Sequence, residues 1–172
     1  MPYAVFETPF GTCGLAWSDT ALTGFQLPEE TPAWTERSMA ARGGGAAGVP
    51  PAWVQAIIQR VQRHLGGHLQ DFADVPIDWP RVSDFQAAVY RQTLAIKPGY
   101  KRSYGEIAER LALGAEAARA VGAALGSNPW PLIVPCHRVV SAGDRMTGFS
   151  APGGIRTKTR LLALEGAELL SE

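Results

Sequence analysis

Three short apolar runs open the chain. Residues 3–7, 12–17 and 21–27 are rich in Phe, Val, Leu and Trp and are broken by Gly11 and by the turn signal Ser18-Asp19, so they read as strands. The pattern then dissolves. Pro28 to Pro51 holds Arg-Gly-Gly-Gly at 42–45 and prolines at 28, 32, 50 and 51, which predicts a loop, disordered in part. Helical spacing follows in Trp53, Ile57, Ile58, Val61 and Leu65, with Pro51 at the start and Gly66-Gly67 at the end. Residues 69–79 read as a connection with a short extended piece. A second helix is expected from Ser83, its N-cap, to Ile96, burying Phe85, Val89, Tyr90 and Leu94 until Pro98-Gly99 stop it.

Beyond residue 100 the helices shorten. Ser103 caps a segment carrying Ile107, Ala108 and Leu111, a break falls at Gly114, and a further helix covers about 115–126. Two short helices around a tight turn fit a helix-turn-helix, although on pattern alone an ordinary helical hairpin is favoured. The second of them is built of small residues, with Arg119 its one long cation. Such a helix can approach another surface closely, either a nucleic-acid groove or a neighbouring helix. A last helix carries Ile155, Lys158, Arg160, Leu161, Leu162 and Leu164 and ends at Glu165-Gly166. A glutamate at that end opposes the helix dipole, so it is expected either in solvent or beside a partner.

These elements predict an α/β (α+β) protein: a small mixed sheet-and-helix domain over residues 1–80, then a mainly helical domain over 81–172. A length of 172 residues with 46% apolar content supplies such a core. No run of about 18 apolar residues exists, so no membrane span is expected. The first residues lack a basic stretch before an apolar one, so no signal peptide is visible and a cytoplasmic location is expected. Cys13 and Cys136 are a poor disulfide framework and fit a reducing compartment. With His64, His68 and His137 they draw no zinc cluster, and no metal is expected. His64 and His68 are expected in solvent near a helix end. Net charge is zero but uneven: residues 1–96 hold six Lys and Arg against nine Asp and Glu, and residues 97–172 hold ten against seven. The second half is the basic one, a weak footprint for nucleic acid.

That half also holds the run Val134-Pro135-Cys136-His137-Arg138-Val139-Val140. It sets a thiol beside an imidazole and a guanidinium inside an apolar frame. A cysteine is a strong nucleophile only as its thiolate, and neighbouring cations favour that form. Cys136 is therefore the candidate nucleophile.

The stretch from Phe85 to Ala167 resembles the O6-alkylguanine-DNA alkyltransferases, or methylated-DNA–protein-cysteine S-methyltransferases. The resemblance rests on five blocks in order: Arg102-Ser103-Tyr104-Gly105-Glu106-Ile107-Ala108, Ala117-Ala118-Arg119-Ala120-Val121-Gly122, Asn128-Pro129, Pro135-Cys136-His137-Arg138-Val139-Val140, and Leu161-Leu162-Ala163-Leu164-Glu165-Gly166. It implies that Cys136 accepts the alkyl group and that His137 is the base, acting through a water and oriented by Glu165. Asn128 would bond around the active-site turn, and Tyr104 would stand near the lesion oxygen and the target phosphate. It further implies DNA contacts from Arg119, Ala118, Ala120, Gly122, Tyr104 and Ser103, with Arg119 filling the gap left by a flipped nucleotide. A substrate pocket would involve Val139, Phe149, Ser150, Arg138 and Lys158. The implied partner is double-stranded DNA containing O6-alkylguanine, with O4-alkylthymine as an alternative lesion. The implied protein is a monomer without cofactor that acts once, because a thioether offers no carbonyl for water to attack.

The chain departs from the family pattern in two places. The spacing from Tyr104 to Arg119 is one residue longer than usual, and the segment from Thr147 to Gly154 is also longer, with Phe149 where a tyrosine is common. Rival readings are a cysteine hydrolase, a lesion-binding module without chemistry and a helix-turn-helix regulator. The first needs an oxyanion hole with no signature here. The second lacks the acceptor thiol that Cys136 supplies. The third needs more positive charge.

Overall fold

The computed structural model describes residues 1–43, 45–141 and 154–167. The chain forms two compact units, Met1–Asp78 and Trp79–Glu172.

In the first unit, strands β1 (Tyr3–Thr8), β2 (Gly11–Trp17) and β3 (Leu22–Gln26) make an antiparallel sheet in the order β1-β2-β3. The region expected to be a loop instead forms helix α1 (Pro32–Gly43). Its prolines and glycines are confined to the ends. Pro32 occupies the first position, where its missing N–H costs nothing, and the Thr31 hydroxyl accepts from the Trp34 N–H. Between them, good helix formers place Thr35 and Met39 in the core. Met39 lies on Gly14, where a Cβ would stand 2.5 Å from the Met39 side chain, so β2 needs glycine there. Helix α2 (Ala52–Leu65) buries Val54, Ile57, Val61, His64 and Leu65. His64 is thus in the core rather than in solvent. Its Nδ1 accepts from the Gln70 N–H at 2.9 Å and its ring packs against Phe72, which satisfies the imidazole inside. His68 is exposed, as expected.

The second unit begins with helix α3 (Asp84–Leu94), whose N-cap Ser83 forms a reciprocal capping box with Gln86. Val89 and Tyr90 are buried as expected, whereas Phe85 is 38% exposed and Leu94 half-buried. Strand β4 (Arg102–Ser103) leads into helix α4 (Tyr104–Arg110), again with a capping box, Ser103 with Glu106. A short 3-10 turn precedes helix α5 (Ala118–Gly126). Helices α3, α4 and α5 pack on one another. Strand β5 (Val139–Val140) pairs in parallel with β4, and helix α6 (Gly154–Leu164) closes the described unit. Among the described residues no helix is long and apolar enough to cross a membrane.

Candidate active site

The site is built on the segment between α5 and β5. Asn128 is 9% exposed and organises it. Its Oδ1 accepts from the Trp130 N–H and its Nδ2 donates to the Val134 carbonyl, each at 2.9 Å. Between these points Leu132 adopts φ +76°, a left-handed conformation unfavourable for a branched residue. Such a conformation persists only where the surroundings over-determine it. The two Asn128 bonds and the Val134 N–H to Trp130 carbonyl bond at 2.8 Å provide that constraint. The chain then enters a 3-10 turn, Cys136–Arg138.

Three side chains of this turn and its neighbour meet out of solvent. The Glu165 and His137 side chains are fully buried, and Arg138 is nearly so. Arg138 donates from Nε and Nη2 to the two Glu165 oxygens, both at 2.8 Å, and from Nη1 to the Ile96 carbonyl at 2.7 Å. His137 Nε2 lies 3.0 Å from both Glu165 oxygens. A carboxylate gripped by a guanidinium fork is an acceptor, so Nε2 carries the hydrogen and donates. The carboxylate that opposes its helix dipole is held by these partners. Gly99, at φ +89°, passes so close to the Glu165 carbonyl that a Cβ would stand 3.1 Å from it.

Cys136 is 6% exposed. Burial pushes its thiol pKa up; a hydrogen bond from the Asn128 side chain, the Lys158 charge and backbone N–H groups act in the opposite direction without cancelling it. The thiol is therefore the resting form, and its use as a nucleophile needs a proton acceptor. The adjacent guanidinium does little to change this, because Glu165 already neutralises it. The working cation is Lys158 on α6. It is 1% exposed, donates to the Val139 carbonyl at 2.9 Å and lies 6.0 Å from the centre of the Tyr104 ring. Burial lowers the Lys158 pKa and the Cys136 charge raises it.

Tyr104 opens α4, half-buried, with its ring against the backbone of α5. A Cβ on Gly122 would lie 3.8 Å from that ring. Arg119 and Ala120 are exposed at the start of α5, and Ala118 is half-buried. Tyr104 thus neighbours both Lys158 and α5, whose exposed residues include Arg119.

The family model for the "6-O-methylguanine DNA methyltransferase, DNA binding domain" matches residues 84–167. The methylated-DNA–protein-cysteine methyltransferase of Mycolicibacterium paratuberculosis is 37% identical over 168 residues, covering 95% of this chain and 91% of that protein. The chain belongs to the methylated-DNA–protein-cysteine methyltransferase family. The crystal structure of Mycobacterium tuberculosis OGT in complex with DNA superposes with a TM-score of 0.78 at 37% identity, over 96% of this chain and 93% of that one. The O6-methylguanine-DNA methyltransferase of Pyrococcus kodakaraensis shares the fold, with a TM-score of 0.73 at 24% identity over 95% and 99% of the two chains.

Most of the residues that the family resemblance singled out come together: Cys136, His137, Glu165, Asn128 and Lys158 are buried, and Tyr104 faces Lys158. Arg138 differs from expectation. Its guanidinium is committed to Glu165 and Ile96 rather than to a substrate pocket, because a buried carboxylate needs a counter-charge. Val139 is buried in β5 with its carbonyl on Lys158. Phe149 and Ser150 lie outside the described residues, as does most of the longer 147–154 segment. Two groups carry structural weight that the sequence did not reveal. Arg138 as the clamp on Glu165 had a faint signal, the basic residue two places after the cysteine. Tyr90 had none, since it read only as a core position.

Proposed function

We propose that this protein reverses alkylation damage in DNA directly, transferring an alkyl group from O6 of guanine to Cys136. The observation that carries the proposal is a buried thiol, on a turn fixed by Asn128, next in sequence to an imidazole that is locked to a carboxylate. Nε2 is occupied by Glu165, so Nδ1 is the nitrogen that takes the Cys136 proton, through a water. The sulfur attacks the alkyl carbon as the C–O6 bond breaks, and the electron pair leaves with the purine. The Tyr104 hydroxyl offers the hydrogen bond or proton that neutralises the leaving oxygen. The product is a thioether, so each molecule reacts once.

A base inside a duplex is out of reach of Cys136, so the nucleotide leaves the stack. α5 enters the minor groove with Ala118, Ala120 and Gly122 allowing close approach, and Ser103 and Tyr104 lie beside the target phosphate. Arg119 occupies the vacated space and offsets part of the unstacking cost. The partner is duplex DNA carrying O6-alkylguanine, with O4-alkylthymine a second lesion, and the protein works as a monomer inside the cell. The test is Cys136→Ala. This variant should retain binding to duplex DNA containing O6-methylguanine while removing no methyl group. Repair by the variant would exclude the assignment of the acceptor.

A further inference from the structure

We propose that Tyr90 is a positioning residue for the duplex reaction: its hydroxyl anchors the α5 carbonyl of Ala124 and thereby sets the angle at which α5 presents Arg119. The inference rests on the reading of α5 as the helix that enters DNA.

Tyr90 is fully buried on α3, and its hydroxyl donates to the Ala124 carbonyl at 2.6 Å. Its ring meets Trp130 edge-on, with centroids 6.2 Å apart and planes at 85°. Trp130 in turn donates its backbone N–H to Asn128, whose Nδ2 donates to the Val134 carbonyl two residues before Cys136. One side chain thus bears on both the helix and the active-site turn. Burial and then the Cys136 charge push the Tyr90 pKa up to about 12, so the hydroxyl stays a donor at any working pH.

Helix α5 needs an external anchor. It has nine residues, whereas isolated helices below about 12–15 residues are marginal in water. Gly122 and Gly126 weaken it further, and Ala117 at its N-cap supplies no side-chain bond. Its buried residues, Val121, Ala124 and Leu125, are apolar, so their side chains add no directional hydrogen bond to fix its angle. Arg119 lies five residues before Ala124, about 7.5 Å along the axis. A tilt of about 10° about the anchor moves Arg119 by about 1.3 Å, and misplacement of about 1 Å can cost about 100-fold in rate.

Tyr90→Phe removes only the hydroxyl. The Ser127 N–H also donates to the Ala124 carbonyl at 3.2 Å, so that carbonyl keeps a partner and the fold survives. Two rates are read: methyl transfer from a duplex containing O6-methylguanine, and alkylation of Cys136 by iodoacetamide, followed peptide by peptide in a mass spectrometer. Tyr90→Phe is expected to slow the duplex reaction about tenfold while leaving the iodoacetamide rate within about twofold. In an Arg119→Ala background the same substitution should cost markedly less, because the anchor acts through that arginine. A duplex rate within about twofold of wild type overturns the proposal, as do parallel losses in both rates or full additivity with Arg119→Ala. A wild-type protein that transfers no methyl group from the duplex would instead refute the repair function itself.

Discussion

Replacing Glu165 by glutamine keeps the shape of the buried cluster and removes its only negative charge. The Arg138 guanidinium, 4% exposed, then faces a neutral amide and the Ile96 carbonyl. Breaking a buried ion pair from one side costs about 3–5 kcal/mol, because the remaining charge is still desolvated. For a chain of this length each kcal/mol lowers Tm by about 2–4 °C, so the expected fall is about 6–20 °C. Scanning calorimetry and urea unfolding by far-ultraviolet circular dichroism measure it. The control is the double variant Glu165→Gln/Arg138→Met, which removes the stranded charge and should regain most of the lost stability. Activity should not return with it. In the proposed mechanism the amide no longer orients His137 as a base, and general-base catalysis is worth about 10²–10⁴-fold, so both variants should transfer methyl at least about 100-fold more slowly. A single variant within about 1 kcal/mol of wild type, or a double variant less stable than the single, would refute the reasoning.

The other predictions concern the thiols and the helix. Lys158→Met removes the cation that lowers the Cys136 pKa against burial; iodoacetamide alkylation of Cys136 at neutral pH should slow and its pH profile move to more alkaline values, and an unchanged profile would contradict the assigned role. Cys13 is sealed in the sheet with its pKa pushed by burial to about 12, so it should resist disulfide reagents in the folded protein. The folded state holds a proton there that the unfolded chain releases near pH 8.5, so stability should decline from about that pH up to the folded value. In Cys13→Ala the decline should be shallower, and an identical alkaline unfolding curve would count against this. Arg119→Ala should slow repair in duplex DNA more than reaction with the free base, and equal losses would remove the flipping role proposed for it.

The sequence carried the fold wherever local signals agreed with burial. The three strands and the helices starting at Ser83 and Ser103 follow from alternation, capping residues and helical spacing, all of which act within a few residues. Helix α1 was hidden because its prolines and glycines, read as loop composition, stand at its ends. His64 was misplaced because Gly66-Gly67 mark a helix end without showing that the chain folds back, so that Gln70 and Phe72 cover the ring. The Cys136 site was legible as a motif but its electrostatics were not. Adjacent cations suggested a thiolate, whereas Glu165, from a distant helix end, neutralises Arg138, and burial dominates the thiol. Such compensation depends on contacts across 27 residues of sequence, which spacing cannot reveal.

Under the proposed function, Cys136 itself takes the alkyl group. Incubating the protein with a duplex containing one O6-methylguanine and digesting it for mass spectrometry measures this directly. One methyl group is expected on the peptide containing Cys136, in an amount matching the guanine restored, and none on Cys13. Complete repair with an unmodified Cys136 peptide, or more guanine restored than protein present, would contradict it.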